Sequence, residues 1–592
     1  MKDIIPDKRN LLHLVELGMN GKVCLPNFQR DFVWSSGEIA DLIRSILRGY
    51  YVGSLLLLRC DPNEPPFEPI ALRGAQPTHT TLQPEYLVLD GQQRLTSLLY
   101  ALYAPEVGLK NSKKPRKFYV DLNLLINEPD DDGLVIDRTE TEAAKEKLNT
   151  TEGQWRQRKI PVTTLSTSKL FLEWRDGIDD WLRENDEVGH REFITELRPR
   201  WTEAITDFQT FQVPLIELPQ VADSDHDGVS RICAIFEKLN STGVDLSVYD
   251  LLTARLYRKN IKLHTLWEES IKEHDLLESW SDGKADTHKF GVLVLRTMAL
   301  LRNLDPKAKI LINLEPKNFE EDWRTAAAAI ERALEIITHV SSDGFGVFEK
   351  KWMPNYGLLP VLAALRVKLE ERKLGDDARE NVRRWYWASL FLERYSSSVE
   401  SMSRKDYAEM VRYWDDSQTL PSIFEEADAQ IGAPGFTIRE SASSASSVYC
   451  GVFALLAINN ARDWRVGEVI TLQDLEDHHI FPKSYLAKHG YSSITNKTVI
   501  NSILNRTLIS DDTNRMIRDN APAAYVLDER IFSGPVESLI NPHFVDYDAL
   551  SEMKIAGHET ENANVKTAFE SFCNLRERAI LIHIREACGV MT

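Results

Sequence analysis

The sequence predicts an α+β multidomain chain, predominantly helical, on three observations. Its 592 residues exceed what one hydrophobic core holds, so two to four domains are expected. Short strand-like runs that end in polar loops lie near both ends, and the stretch between them repeats apolar residues at helical spacing. With 43% hydrophobic and 27% charged residues the chain has a globular composition, and no apolar run approaches the ~20 residues that cross a bilayer.

The first element, Leu25 to Trp34, sets Gln29 and Arg30 among Phe28, Phe32 and Trp34; aromatics beside such a pair can stack on and hydrogen-bond a base. Ile39, Leu42, Ile43, Ile46 and Leu47 then mark an amphipathic helix. Tyr86 to Leu89 reads as a strand that ends in Asp90-Gly91-Gln92-Gln93-Arg94, after which Leu95, Leu98, Leu99 and Leu102 recur at helical spacing. A polar loop at a helix N-terminus offers unsatisfied amides, the helix dipole and the Arg94 guanidinium to a phosphate, while Gly91 lets the backbone approach closely. Asp90 suits a metal or a hydroxyl. Phe236 to Ser247, with Asn240 and Gly243, runs from one helix through a glycine turn into another that begins near Ser247. Each of these elements also has a purely structural reading, as core aromatics, a turn pair and a helix end.

Residues 261–431 are helical in pattern and read as a scaffold, with Trp323 to Ile330, Leu334 and Ile337 on one apolar face and Trp385, Trp387 and Tyr395 packing helices. Gly432 to Ser447 is the clearest linker. The chain is expected to close with an amphipathic helix presenting Val565, Phe569, Phe572, Leu575, Ala579 and Ile582, packed internally or against a second copy.

Most of the chemistry concentrates in Asp477-His478-His479-Ile480-Phe481-Pro482, followed by Asn505 and Asn514. Adjacent histidines can divide the labour of phosphodiester hydrolysis. One imidazole takes a proton from water, while the other, with an amide oxygen, holds a divalent cation that stabilises charge on the phosphate and leaving oxygen. The apolar run before Asp477 and the Ile480-Phe481-Pro482 step suggest a short strand or hairpin, and Asn514 opens a helix after the polar turn Ser510 to Thr513. A His-His doublet by itself is an ordinary surface or capping pair; the two asparagines and Pro482 in register are what give it weight.

This set resembles the HNH (ββα-metal) nucleases, whose pattern is Asp/His-His-Ile-x-Pro, then an Asn before a short apolar stretch and a second Asn about nine residues on. The resemblance implies His479 as general base, His478 and Asn514 as metal ligands, and Asn505 as the catalytic-loop group that orients His479, with Asp477 an outer partner. Many members carry Asp where this chain has His478. Imidazole suits Mn, Ni, Co or Zn better than Mg, which prefers hard oxygen ligands, so the metal is left open with Mg or Mn favoured. The front half is similar to the N-terminal domain of the GmrSD-type modification-dependent (type IV) restriction endonucleases. Its three signatures, Pro-x-x-Gln-Arg-x-x-x-Trp, Asp-Gly-Gln-Gln-Arg and Phe-x-x-Leu-Asn-x-x-Gly-x-x-Leu, are all present. That family implies a ParB/sulfiredoxin-like fold over residues 1–260, binding a nucleoside triphosphate through Gln29, Arg30, Asp90, Gly91, Gln92, Gln93, Arg94 and Asn240. It implies an HNH domain over 449–592, after a helical scaffold (261–431) and a linker (432–448).

The net charge of −19 argues against a protein that coats DNA through overall charge, but not against local recognition. Lys483, Arg506 and Arg515 are expected to contact DNA phosphates, with Lys488, Lys497 and Arg518 nearby. The six cysteines lack Cys-x-x-Cys spacing and the N-terminus lacks a signal-peptide pattern, so a reducing cytoplasm and no membrane are expected. The leading expectation is a nucleotide-regulated endonuclease acting on modified phage double-stranded DNA, with a homodimer an open possibility. A DNA-binding regulator with an inactive HNH fold, and an RNA-directed nuclease toxin, are the alternatives.

Overall fold

A computed structural model of the chain describes residues 5–27, 32–77, 82–220, 248–257, 259–282, 287–465, 471–532 and 534–590. Gln29, Arg30 and Asn240, together with Phe28 and Gly243, lie outside the described residues. The fold mixes α and β and is about 57% helical. It divides into two compact units, residues 1–262 and 263–592.

The first unit is built on a six-stranded sheet. Its strands are β1 (Ile5–Asn10), β2 (Val23–Pro26), β3 (Leu55–Arg59), β4 (Pro69–Ile70), β5 (Tyr86–Asp90) and β9 (Gln212–Leu218), in the order β1-β9-β3-β5-β2-β4. A second sheet, β7-β6-β8, joins β6 (Lys117–Asp121), β7 (Val135–Arg138) and β8 (Lys159–Pro161). The unbroken apolar run of β3 follows from burial on both faces. Leu55 and Leu57 join the large core with Val88, Leu95 and Leu99, whereas Leu56 and Leu58 meet Cys24, Leu87, Leu89 and Leu218 on the other side. Helices α1 (Leu11–Met19), α2 (Ser36–Leu47) and α3 (Gln92–Tyr103) contribute to the large core. The acidic stretch Glu128 to Gly133 is held to α2 by ion pairs of Arg44 with Asp132 and of Arg48 with Asp130.

In the second unit, the helices Thr287–Leu301, Phe319–Thr338 and Leu358–Arg372 pack on one another. Trp323, Ala326, Ala327, Ile330, Leu334 and Ile337 are buried, as their spacing predicts. Trp385, Trp387 and Tyr395 are buried too; Trp385 Nε1 and Tyr395 Oη donate to the fully buried Asp406 at 3.1 and 2.8 Å, so that carboxylate is well partnered. The Gly- and Ser-rich stretch read as a linker is fastened to the rest of the unit. Ile438 is buried and its N–H donates to Glu577 Oε1 at 3.0 Å, while the Arg439 carbonyl accepts from Ser502 Oγ at 2.7 Å.

The closing helix spans Asn562–Ala587, but its buried face differs from the expected one. Val565, Phe569 and Phe572 face inward as the spacing predicts. Further on, Arg576, Glu577, Ile580 and Ile584 are buried, Leu575 and Ala579 are half-buried, and Ile582 is exposed. The expected residues 565, 572 and 579 repeat every seven, and an α-helix of 3.6 residues per turn drifts about 20° per heptad from such a stripe. The face therefore rotates onto polar side chains that apolar periodicity assigns to solvent.

Candidate active site in the C-terminal unit

β10 (Leu475–His479) and β11 (Arg506–Ser510) pair antiparallel, with His479 opposite Arg506 and His478 opposite Thr507. A short helix, Asp511–Ile517, follows β11 directly. Its start is fixed twice over. Ser510 Oγ accepts the Thr513 N–H at 3.2 Å, and the buried Asp463 accepts the Ser510 N–H at 2.7 Å and the Thr513 hydroxyl at 2.6 Å. Asn514 thus stands in the first turn of a helix with a set origin.

His478, His479 and Asn514 line one cavity of about 520 Å³, together with Lys483, Tyr491 and Arg518. Strand alternation sends neighbouring side chains to opposite faces, yet at the end of β10 both histidines reach the same space. His478 Nε2 is buried without a hydrogen-bond partner, and burial holds the ring's pKa below its ordinary value, so the ring is neutral with an uncommitted nitrogen.

His479 is held on both sides. Its Nε2 lies 3.0 Å from Asn501 Oδ1, and Arg506 Nη1 lies 2.9 Å from its Nδ1 and 3.3 Å from its Nε2. Burial, and then the Arg506 guanidinium, push His479 down to about 4, which leaves the imidazole neutral and able to accept a proton at pH 7. Asp477 and the Tyr449 hydroxyl stand behind the guanidinium. Arg506 Nε donates to Tyr449 Oη at 3.0 Å and lies 3.0 Å from Asp477 Oδ1, while Tyr449 Oη donates to Asp477 Oδ2 at 2.6 Å.

Asn505 is fully buried and touches no part of the cavity. Its Oδ1 accepts the Phe481 N–H at 2.7 Å, and its Nδ2 donates to the Phe481 and Ile500 carbonyls at 3.1 and 3.0 Å. It locks the turn between β10 and Pro482, which is a positioning role. Of the three expected phosphate contacts, Lys483 lines the cavity, Arg506 is turned inward as described, and Arg515 is exposed and paired with Asp511 and Asp512. Arg518 lines the cavity instead, one turn past Asn514.

Tyr449 and Asn501 were not singled out from the sequence. Asn501, a further amide just before Asn505, carries a faint signal; Tyr449, on the helix Ser447–Ile458, carries none because only tertiary packing brings it to β10.

In the first unit, β5 passes through Gly91 into α3. Gly91 has φ +95°, and a Cβ there would meet Leu55 Cδ2 at 2.1 Å, so the turn requires glycine. Arg94 Nη1 donates to the Val52 carbonyl at 2.8 Å and Nη2 lies 3.4 Å from Asp90 Oδ2. Arg94 also lines a cavity of about 300 Å³ with Trp34, Tyr51, Glu38 and Asp41. Gln92 and Gln93 are buried rather than open to that space; Gln93 Oε1 accepts the Val33 N–H at 3.0 Å and so fastens the segment that follows Gln29 and Arg30.

Residues 11–257 match the family described as GmrSD restriction endonuclease, N-terminal domain. Over its whole length the chain is similar to an uncharacterized protein of Methanocaldococcus jannaschii, 32% identical across 98% of this chain and 99% of that one. The chain belongs to the same family as that archaeal protein, and its residues 11–257 match the N-terminal domain of the GmrSD restriction endonucleases.

Proposed function

We propose that the protein is a modification-dependent DNA endonuclease of phage defence whose C-terminal site is an HNH centre and whose N-terminal unit is a ParB/sulfiredoxin-like nucleotide-binding sensor. One observation carries the reading. In a chain with a GmrSD N-terminal domain, His478, His479 and Asn514 converge from a β-hairpin and its following helix on one cavity that also holds Lys483 and Arg518.

His478 and Asn514 fit a divalent metal. The buried, unpartnered Nε2 of His478 is the kind of donor a cation takes, and the amide of Asn514 shares its cavity. With two protein ligands, a cation there would take its remaining coordination from phosphate and water oxygens. A cation held there would stabilise charge on the phosphate and the leaving oxygen.

The chain's own residues do the rest. Lys483 and Arg518 draw the scissile phosphate into the cavity. His479 accepts the proton of the attacking water as its oxygen bonds to phosphorus and the P–O bond to the leaving strand breaks. Asn505 keeps the backbone after His479 in place throughout. In the N-terminal unit, the cavity beside Arg94 sits at the lower end of the volumes of small-molecule sites, with Trp34 and Tyr51 as flat surfaces for a base. A nucleotide bound there, and a modified base sensed by the same unit, would restrict cutting to foreign DNA in the cytoplasm. Selectivity of that kind lies beyond phosphate contacts, which carry no sequence information.

The test is cleavage of modified phage DNA beside a matched unmodified DNA, with Mg²⁺ or Mn²⁺, with and without nucleoside triphosphates, and with RNA as a third substrate. Cutting confined to modified DNA, abolished by EDTA, is the expected result. Binding of DNA and nucleotide without cutting under any condition would favour a switch-like regulator, and cutting of RNA alone would favour a toxin. Arg94→Ala is expected to weaken nucleotide binding roughly 10-fold or more through loss of one charge-assisted contact, measured by calorimetry with a melt to verify folding. Wild-type affinity and turnover in that variant would sink the N-terminal assignment.

A further inference from the structure

Arg518 stands on a backbone that arginine does not favour. The turn Ile517-Arg518-Asp519-Asn520 is closed by the Asn520 N–H on the Ile517 carbonyl at 3.0 Å, and Arg518, with φ +51° and ψ −116°, takes the first central position of a type II′ turn. Four other residues of positive φ that follow helices, Ala104, Arg158, Lys373 and Phe544, have ψ between +35° and +58°, inside the small left-handed region open to side chains. Arg518 lies outside that region, where glycine alone is unstrained. Its N–H donates to the Asn514 carbonyl at 2.9 Å, a bond that glycine would make equally well, so neither the turn nor the end of the helix calls for a side chain here.

What the side chain does is line the cavity of His478, His479 and Asn514. Its Nε donates to the Arg515 carbonyl at 3.1 Å, which fixes the plane of the guanidinium, and among the described residues neither Nη1 nor Nη2 meets a carboxylate. The adjacent Asp519 is taken by Lys488 at 2.5 Å, whereas Arg515 and Arg506 are paired with Asp511 and Asp477. We propose that Arg518 binds the non-bridging oxygens of a phosphodiester through its Nη1 and Nη2 fork, and that the strain of its turn is carried in order to hold that fork beside Asn514. The inference rests on the nuclease reading of this cavity and adds to it a conflict between stability and function at one residue. A planar guanidinium offers two parallel donors to a phosphate, while Lys483 supplies a point charge on a flexible stem. A donor already fixed in place needs no reorganisation as charge grows on the phosphate in the transition state.

Arg518→Gly and Arg518→Ala separate the two halves of the proposal, since both remove the guanidinium and only glycine relaxes the backbone. With duplex DNA in EDTA, the slope of log affinity against log salt should fall by about one in both variants, the signature of one lost phosphate contact and a quantity that a merely structural residue would not move. Single-turnover cleavage with Mn²⁺ should drop about 10²-fold in both, as for removal of one fixed transition-state donor, and Arg518→Lys should recover part of the loss. In a thermal melt Arg518→Gly should unfold about 1–3 °C above wild type, and Arg518→Ala should match wild type. A wild-type salt slope in Arg518→Gly would overturn the phosphate contact, and a glycine variant melting no higher than the alanine variant would overturn the strain. A lowered slope in a protein whose wild type never cuts would support the phosphate contact and count against the nuclease reading alone.

Discussion

His479→Ala is expected to lower DNA cleavage by about 10²- to 10⁴-fold, the usual contribution of a positioned general base, while leaving folding and DNA binding close to wild type. The expectation follows from where the side chain sits. His479 is neutral at pH 7 and lines the cavity, and its ring contacts are side chains that remain bonded elsewhere when it is removed: Arg506 to Tyr449 and Asp477, Asn501 to the Lys497 carbonyl. Truncation thus removes the proton acceptor without orphaning a buried group, and the strand pairing of His479 with Arg506 is made by backbone that alanine preserves. Single-turnover cleavage, anisotropy with a labelled duplex and a thermal melt separate these terms. Wild-type cleavage would show that the base lies elsewhere; equal loss of binding and cleavage would show that His479 holds substrate.

How much of this site was legible in the sequence depended on distance along the chain. The strand, the glycine at Gly91 and the helix after it follow from local pattern and steric need, as do β10, β11 and the capped helix that carries Asn514. The orientation of the basic residues did not follow. Arg506 and Arg515 carry the same charge as Lys483, but cross-strand pairing turns Arg506 onto His479, and helical spacing pairs Arg515 with Asp511. Tyr449 reaches Asp477 from a helix 28 residues upstream, a contact that no local pattern encodes. Gln92 and Gln93 show the converse. Their place in a polar loop suggested ligand contact, and their burial gives Gln93 the role of a tie to Val33.

The same limit explains Arg576, whose replacement by Met is expected to cost roughly 2–4 kcal/mol of stability and lower the melting temperature by about 5–10 °C. Arg576 is fully buried in the closing helix. Its Nε donates to the His543 carbonyl at 3.1 Å, and its Nη1 donates to the Ile503 and Leu504 carbonyls at 3.1 and 2.8 Å. Methionine fills a similar volume and removes a buried cation, whose pKa burial pushes down to about 9; that relief favours the variant. Against it, the Leu504 and His543 carbonyls lose their donor at a cost of about 1–3 kcal/mol each, while Ile503 keeps the Arg506 N–H as partner. Two bare buried carbonyls outweigh the relief, because the guanidinium meets several acceptors and methionine meets none. The turn Ile503–Asn505 that Arg576 holds is the one from which Asn505 locks Phe481, so loosening it should also slow cleavage with little change in DNA affinity. Arg576→Lys, which retains a donor for one or two of these carbonyls, should fall between the two. A melting temperature for Arg576→Met equal to wild type would mean that water or a neighbouring donor satisfies both carbonyls, and that the closing helix does not brace the catalytic turn.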